Sequence, residues 1–130
     1  NTHILRVITK YDDQGAVYYC TTVKEGTKMW LTTRDEELIF AEQQRSLDFI
    51  TEQMGNGVPQ AVFQTDCLAR GRFLFNRVMK DEIIAMMHEA LAVDGEVPPW
   101  IGMYGFGEYA RLGGKNAYHN YSTALLVLYR

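Results

Sequence analysis

Apolar and polar positions alternate between short strand-like runs and two longer helical stripes. Ile4-Leu5-Arg6-Val7-Ile8 and Ala16-Val17-Tyr18-Tyr19-Cys20 flank the turn chemistry of Asp12-Asp13-Gln14-Gly15, which predicts an opening hairpin over His3 to Cys20. Lys24-Glu25-Gly26-Thr27 turns the chain into a third strand, Met29-Trp30-Leu31-Thr32. Thr33-Arg34-Asp35-Glu36 then matches a capping box, and Phe40, Leu47, Ile50 and Met54 recur along one helical face, with Glu42, Gln43, Arg45 and Glu52 among the residues between them. Gly55-Asn56-Gly57 ends that helix near Met54. Gln60 to Thr65 reads as a strand and Asp66 to Gly71 as the loop leaving it. Met79, Ile83, Met86, Met87, Ala90 and Leu91 mark a second helix that starts between Asn76 and Lys80 and stops at Asp94-Gly95. Two strands follow, Trp100 to Phe106 and Ala117 to Tyr129. Ala124 to Leu128 shows no alternation, the pattern of a central strand covered on both faces.

The order βββ-α-β-α-ββ predicts an α+β fold, a largely antiparallel or mixed sheet packed with two main helices. Which face the helices cover stays open; a bare opposite face would leave residues such as Tyr18, Trp30 and Tyr121 to another subunit or domain.

Composition narrows the class. A chain of 130 residues with 47% hydrophobic positions is the size of a single domain, 1–130, with one core. A formal charge of −3 gives no global field for nucleic acid or an anionic membrane. Arg70, Arg72, Arg77 and Lys80 cluster locally, which reads as solvated surface. Cys20 and Cys67 are too few for a disulfide framework, so a reducing, cytoplasmic compartment is expected. No run approaches the roughly 18–20 apolar residues of a spanning helix, and the amino terminus lacks a secretory signal. The chain does not begin with methionine, which suits a fragment of a longer protein.

The candidate chemistry lies late in the chain. Gly102-Met-Tyr104-Gly105-Phe-Gly107-Glu108 is a glycine-rich aromatic run closed by a carboxylate. Glycine weakens a strand, so glycines at near-alternate positions point to a backbone that something approaches closely. Cys67-Leu-Ala-Arg70-Gly71 precedes this run, and Tyr118-His119-Asn120-Tyr121-Ser122-Thr123 follows it before an apolar strand.

In that order and spacing the three motifs resemble the FIST C domain, the carboxy-terminal half of the FIST sensory module, with the signature in residues 61–128. The resemblance implies an input domain of a signal-transduction protein that binds a small ligand, together with a FIST N domain and an output domain in the parent protein. A homodimer is a further expectation. The implied ligand-binding residues are Cys67, Arg70, Tyr104, Gly105, Gly107, Glu108, His119 and Asn120, with no catalytic residue, no metal and no resident cofactor.

Physically, Arg70 offers a planar fork for a carboxylate and Glu108 an acceptor for an ammonium group, so together they suit a zwitterion such as an amino acid. Tyr104 and Phe106 offer a wall. The ligand would lie between the loop after the fourth strand and the glycine-rich strand. Other uses are open: Arg70 and Glu108 can pair with each other, His119 can be a hydrogen-bonded structural residue, and Asn120 can cap a turn or orient His119. Cys67, His119 and Asn120 are also the residue types of a thiol hydrolase, although neighbouring strand residues face opposite ways. No CxxC, HxxxH or paired-carboxylate spacing signals a metal site, while a single Cys, His or Tyr suffices to hold haem iron. An interaction module without any small ligand is the remaining alternative.

Overall fold

The computed structural model describes residues 3–70, 77–112 and 114–130. Gly71, Arg72 and Asn76, named above, lie outside the described residues. The elements are β1 (Ile8–Tyr11), β2 (Val17–Tyr19), α1 (Glu36–Met54), β3 (Pro59–Cys67), α2 (Arg77–Leu91), β4 (Trp100–Gly105), β5 (Glu108–Leu112), β6 (Lys115–His119) and β7 (Thr123–Tyr129). This is an α+β fold with two helices and mixed strand pairing.

The opening hairpin forms closer to its turn than the apolar runs suggest. Asp12 anchors the turn by accepting from the amides of Gln14 and Ala16, at 3.0 and 2.9 Å. Ile4 to Val7 stay outside the hairpin because they run past the end of β6, where Arg6 donates to the Tyr118 carbonyl and the Val7 amide to Asn120 Oδ1. Met29-Trp30-Leu31-Thr32 is not a strand. No strand among the described residues pairs with it, and Leu31 is 93% exposed.

Helix α1 begins two residues later than the Thr33 capping box implies. Asp35 is the cap, its side chain accepting from the Leu38 amide, and Glu36 and Glu37 place negative charge where the helix dipole favours it. Gly55, at φ 57°, closes the other end. Asp35→Ala is expected to cost about 1 kcal/mol of stability, read as a lower urea midpoint with an unchanged slope.

The main sheet has the order β4-β3-β7. Strand β3 runs parallel to β4 through the α2 crossover and antiparallel to β7, with Val62 level with both Trp100 and Val127. The core lies between this sheet and the helices: Leu47 from α1, Val62 from β3, and Ile83, Met87 and Leu91 from α2 are essentially inaccessible. The other face carries no helix among the described residues: Phe63, Ile101, Met103, Leu126 and Leu128 are all exposed there, with Tyr109, Ala110 and Arg111 of β5 beside Phe63 and Leu126.

Two expectations about the last strand are corrected. Ala117 to Tyr129 is two strands, broken at Asn120 to Ser122, where Tyr121 takes φ 57°. The second of them, β7, is an edge strand, and β3 is the central one. Its unalternating apolar run has a different cause: Leu125 and Val127 face α1, while Leu126 and Leu128 lie on the other face. The first of the two pairs with β5, which the motif reading does not separate from the glycine-rich run. Hairpin β5–β6 thus stands as an insertion between β4 and β7, at the carboxyl ends of β3 and β4.

Candidate functional site

Chain geometry brings three strand ends together. The Cys67 amide donates to the Ser122 carbonyl at 2.9 Å, and the Leu68 amide to the Gly105 carbonyl at 2.8 Å, which ties the end of β3 to the turn before β7 and to the end of β4. The Arg70 amide bonds back to the Cys67 carbonyl, so the loop curls and returns the Arg70 side chain under the sheet end. Arg70 is 7% exposed, not solvated surface. Lys80, from the same basic cluster, is half-buried and pairs with Asp81 at 3.3 Å.

Four side chains form a closed buried network there. Arg70 Nη1 donates to Thr123 Oγ1 at 2.6 Å and meets Asp66 Oδ1 at 3.4 Å, while Nη2 donates to Gln43 Oε1 of α1 at 2.9 Å. The Thr123 hydroxyl in turn donates a hydrogen bond to Asp66 Oδ1 at 2.8 Å. Burial pulls Arg70 below its ordinary value and Asp66 opposes this; the guanidinium stays charged. Asp66 is pushed above the usual carboxylate range by burial, against the pull of Arg70 and Thr123. The Arg70 partners are therefore Asp66, Gln43 and Thr123, and not Glu108.

Glu108 and His119 form the second part of the site. They stand directly opposite each other across the β5–β6 hairpin, so their side chains project from the same face. Glu108 is 3% and His119 8% exposed. Glu108 Oε2 accepts from Ser122 Oγ at 2.6 Å, whereas Glu108 Oε1 and His119 Nε2 are buried atoms with no hydrogen-bond partner among the described residues. Burial raises Glu108 above its ordinary carboxylate value, Ser122 lowers it, and nearby Asp66 adds to the rise. A Cβ on Gly105 would lie 3.6 Å from Glu108 Oε1, in ordinary van der Waals contact with it.

Asn120 is a stitch rather than a contact to His119. Its Nδ2 donates to the Phe106 carbonyl and reaches Tyr118 Oη, and its Oδ1 accepts from the Val7 amide and the Cys20 thiol. Tyr118 Oη donates to the same Phe106 carbonyl at 2.9 Å. Gly107 is required by this arrangement, because a Cβ there would fall inside the Tyr118 ring.

Of the eight expected site residues, the structure thus gathers Cys67, Arg70, Gly105, Glu108 and His119 around the joined strand ends. Gly107 and Asn120 build the adjoining turn. Tyr104 is level with Asp66 but 41% exposed, and Phe106 is 83% exposed, so no aromatic wall forms there. Sequence reasoning missed Gln43, Asp66, Ser122 and Thr123 as partners. The spacing of Asp66 to Arg70 and the hydroxyls of Ser122-Thr123 were visible signals; Gln43 had none. Among the described residues no group of three or more His, Cys, Asp or Glu side chains could hold a metal ion, and no helix is long and apolar enough to cross a membrane.

The family model for the FIST C domain matches residues 1–111 of the 130-residue chain. The chain belongs to the FIST C family. This is a family of sensory domains of signalling proteins. Neither a curated protein nor a solved structure gives a match. Within this FIST C domain the matched stretch takes in Asp66, Cys67, Arg70 and Glu108 and ends before β6, so His119 and Asn120 are placed by the hairpin geometry alone.

Proposed function

We propose that this FIST C domain is a ligand-sensing input module that binds a small molecule, such as an amino acid, beneath the β5–β6 hairpin. The observation that carries the reading is the pair of buried atoms without partners among the described residues, Glu108 Oε1 and His119 Nε2, on one face of that hairpin. An unsatisfied buried polar group costs on the order of 1–3 kcal/mol, so a ligand that reaches both atoms gains by pairing them. With Arg70 engaged by Asp66, Thr123 and Gln43, the two ends of a zwitterion fall to Glu108 for the ammonium group and to His119 Nε2, as a ring N–H donor, for the carboxylate.

The same geometry supplies a route outward. His119 is followed by Asn120, which holds Val7 and Cys20 of the amino-terminal segment, so tightening the hairpin onto a ligand biases how that segment packs. A FIST N domain and an output domain in the parent protein would read that bias.

The test is a thermal-melting screen with amino acids, small acids and nucleotides, repeated with the domain joined to a FIST N partner. A reproducible upward shift that disappears in Glu108→Gln and in His119→Ala is expected. No shift with either protein would overturn the reading in favour of a module that only binds other proteins, a role for which the exposed apolar face of Phe63, Ile101 and Met103 is the supporting observation. A shift that survives both substitutions would move the ligand away from the hairpin.

A further inference from the structure

The hairpin face that carries Glu108 and His119 continues over an apolar groove. Side chains two residues apart on a strand share a face and stand about 6–7 Å apart, so Ala110 follows Glu108 on that face, and Ala117, level with Ala110, precedes His119. Strand β3 supplies the floor in the same order. Cys67 is level with Gly105, the residue beside Glu108 Oε1, and Thr65 and Phe63 lie two and four residues back on that face of β3. Between floor and hairpin runs a groove of about 470 Å³, with Ala110 on the hairpin side and Phe63, Thr65, Ala124 and Leu126 on the sheet side. Small-molecule sites occupy roughly 300–1,000 Å³, so the groove is large enough for part of a ligand.

The lining of the groove selects by chemistry. Phe63 and Leu126, level with each other on neighbouring strands, are 47% and 58% exposed. Among the described residues no carboxylate lines the groove. Its charged residue, Arg111, belongs to the alternate face of β5, is exposed, and donates through Nε to the Gly114 carbonyl. Above the floor, Ala110 contributes only a methyl group.

We propose that the ligand held at Glu108 and His119 is an amino acid with a large apolar side chain, leucine- or phenylalanine-like, and that this groove takes that side chain. The assignment rests on the head-group reading above and adds the selectivity. The amino and carboxylate groups meet the buried pair at one end, and the side chain runs one strand step along β5, past Ala110, onto Phe63 and Leu126. Glu108 Oε1 and His119 Nε2 are closed to water, so the ligand reaches them from the groove end, where β5 already stands off the sheet. A lysine-like side chain would be desolvated against Phe63 and Leu126 with no anion to meet it. A serine-like one would leave their apolar area in water.

Isothermal titration calorimetry with glycine, serine, lysine, leucine and phenylalanine tests the assignment. Leucine or phenylalanine should bind at least about tenfold more tightly than serine, the discrimination an apolar site draws from one or a few buried methylenes. Ala110→Leu fills the groove from the hairpin side and should bring the leucine-to-serine affinity ratio close to one. Leu126→Ala, at an exposed position, should keep the native circular dichroism and lower that ratio at least about threefold. Met103→Glu, on the same sheet face outside the groove, should leave the ratio as it is. Serine, lysine and leucine binding alike, and all lost in Glu108→Gln, would keep the head-group reading and overturn the side-chain assignment. A leucine preference that survives both Ala110→Leu and Leu126→Ala would overturn it as well, by putting the side chain elsewhere. No binding by any of the five would overturn both readings.

Discussion

Arg70→Met is expected to lower stability at neutral pH by about 3–5 kcal/mol, a large share of the roughly 5–15 kcal/mol of a whole domain. The loss arises from what is left behind. Asp66 would remain a buried carboxylate met by Thr123 and the Cys67 backbone but by no cation, and Gln43 Oε1 would lose its donor. Burial already holds Asp66 above its ordinary value, and removing the guanidinium raises it further. A carboxyl whose folded value is raised binds more protons folded than unfolded, so its penalty shrinks as pH falls through the folded value. Urea unfolding of the variant at pH 7 and pH 5 should therefore show the smaller loss at pH 5. Arg70→Met combined with Asp66→Asn should recover a substantial part of it, since no buried charge then lacks its partner. Equal losses at both pH values, without rescue, would mean that the pair does not hold the strand ends together.

Much of this fold was legible from periodicity. The α1 and α2 stripes have helical spacing over long segments, and burial of Leu47, Ile83, Met87 and Leu91 follows from it directly. Strands were harder wherever local pattern and tertiary position disagree. Strand β7 looks central because every residue from Ala124 to Leu128 is apolar, yet Leu126 and Leu128 on one of its faces are exposed and one edge is unpaired among the described residues. An apolar run records what a strand is able to bury and does not say whether a neighbour has arrived. Gly114, at φ 82° between β5 and β6, was a readable hairpin signal. It was overshadowed by the glycines just before it, whose role at Gly107 is to clear the Tyr118 ring.

The site was legible as a set of residues and not as a set of partnerships. Arg70 and Glu108 were recognisable because charged side chains next to a glycine-rich strand end need a reason to be there. Their partners were not: Arg70 meets Asp66, Thr123 and Gln43, the last arriving from a helix 27 positions earlier, and Glu108 meets Ser122. Helical spacing assigns Gln43 to the polar side of α1, but a polar side chain is buried readily when a guanidinium supplies its hydrogen bond. His119 and Asn120 show the reverse case. Their neighbouring positions predicted separate directions, and the structure gives them separate tasks: one faces Glu108, the other ties Phe106 and Tyr118 to the amino-terminal segment.

Glu108→Gln should separate the binding role of this carboxyl from its structural one. Burial raises the folded value of Glu108 above that of the unfolded chain. By the same linkage, whatever stability Glu108 contributes is fully present below its unfolded value and is lost as pH rises through the folded one, so at neutral pH the charged form works against folding. Glutamine keeps an oxygen for the Ser122 hydroxyl and removes the charge. The variant is therefore expected to melt at or above the parent temperature at pH 7, and its stability should vary less between pH 4 and pH 7, while its response to a ligand bound at this carboxyl disappears. That combination, more stability with less function, is what a site held ready for a partner produces, because the parent sequence keeps an unfavourable charge only where something repays it. A purely structural Glu108 would behave differently: Glu108→Gln would then lower the melting temperature at pH 7 and leave any ligand-induced shift intact.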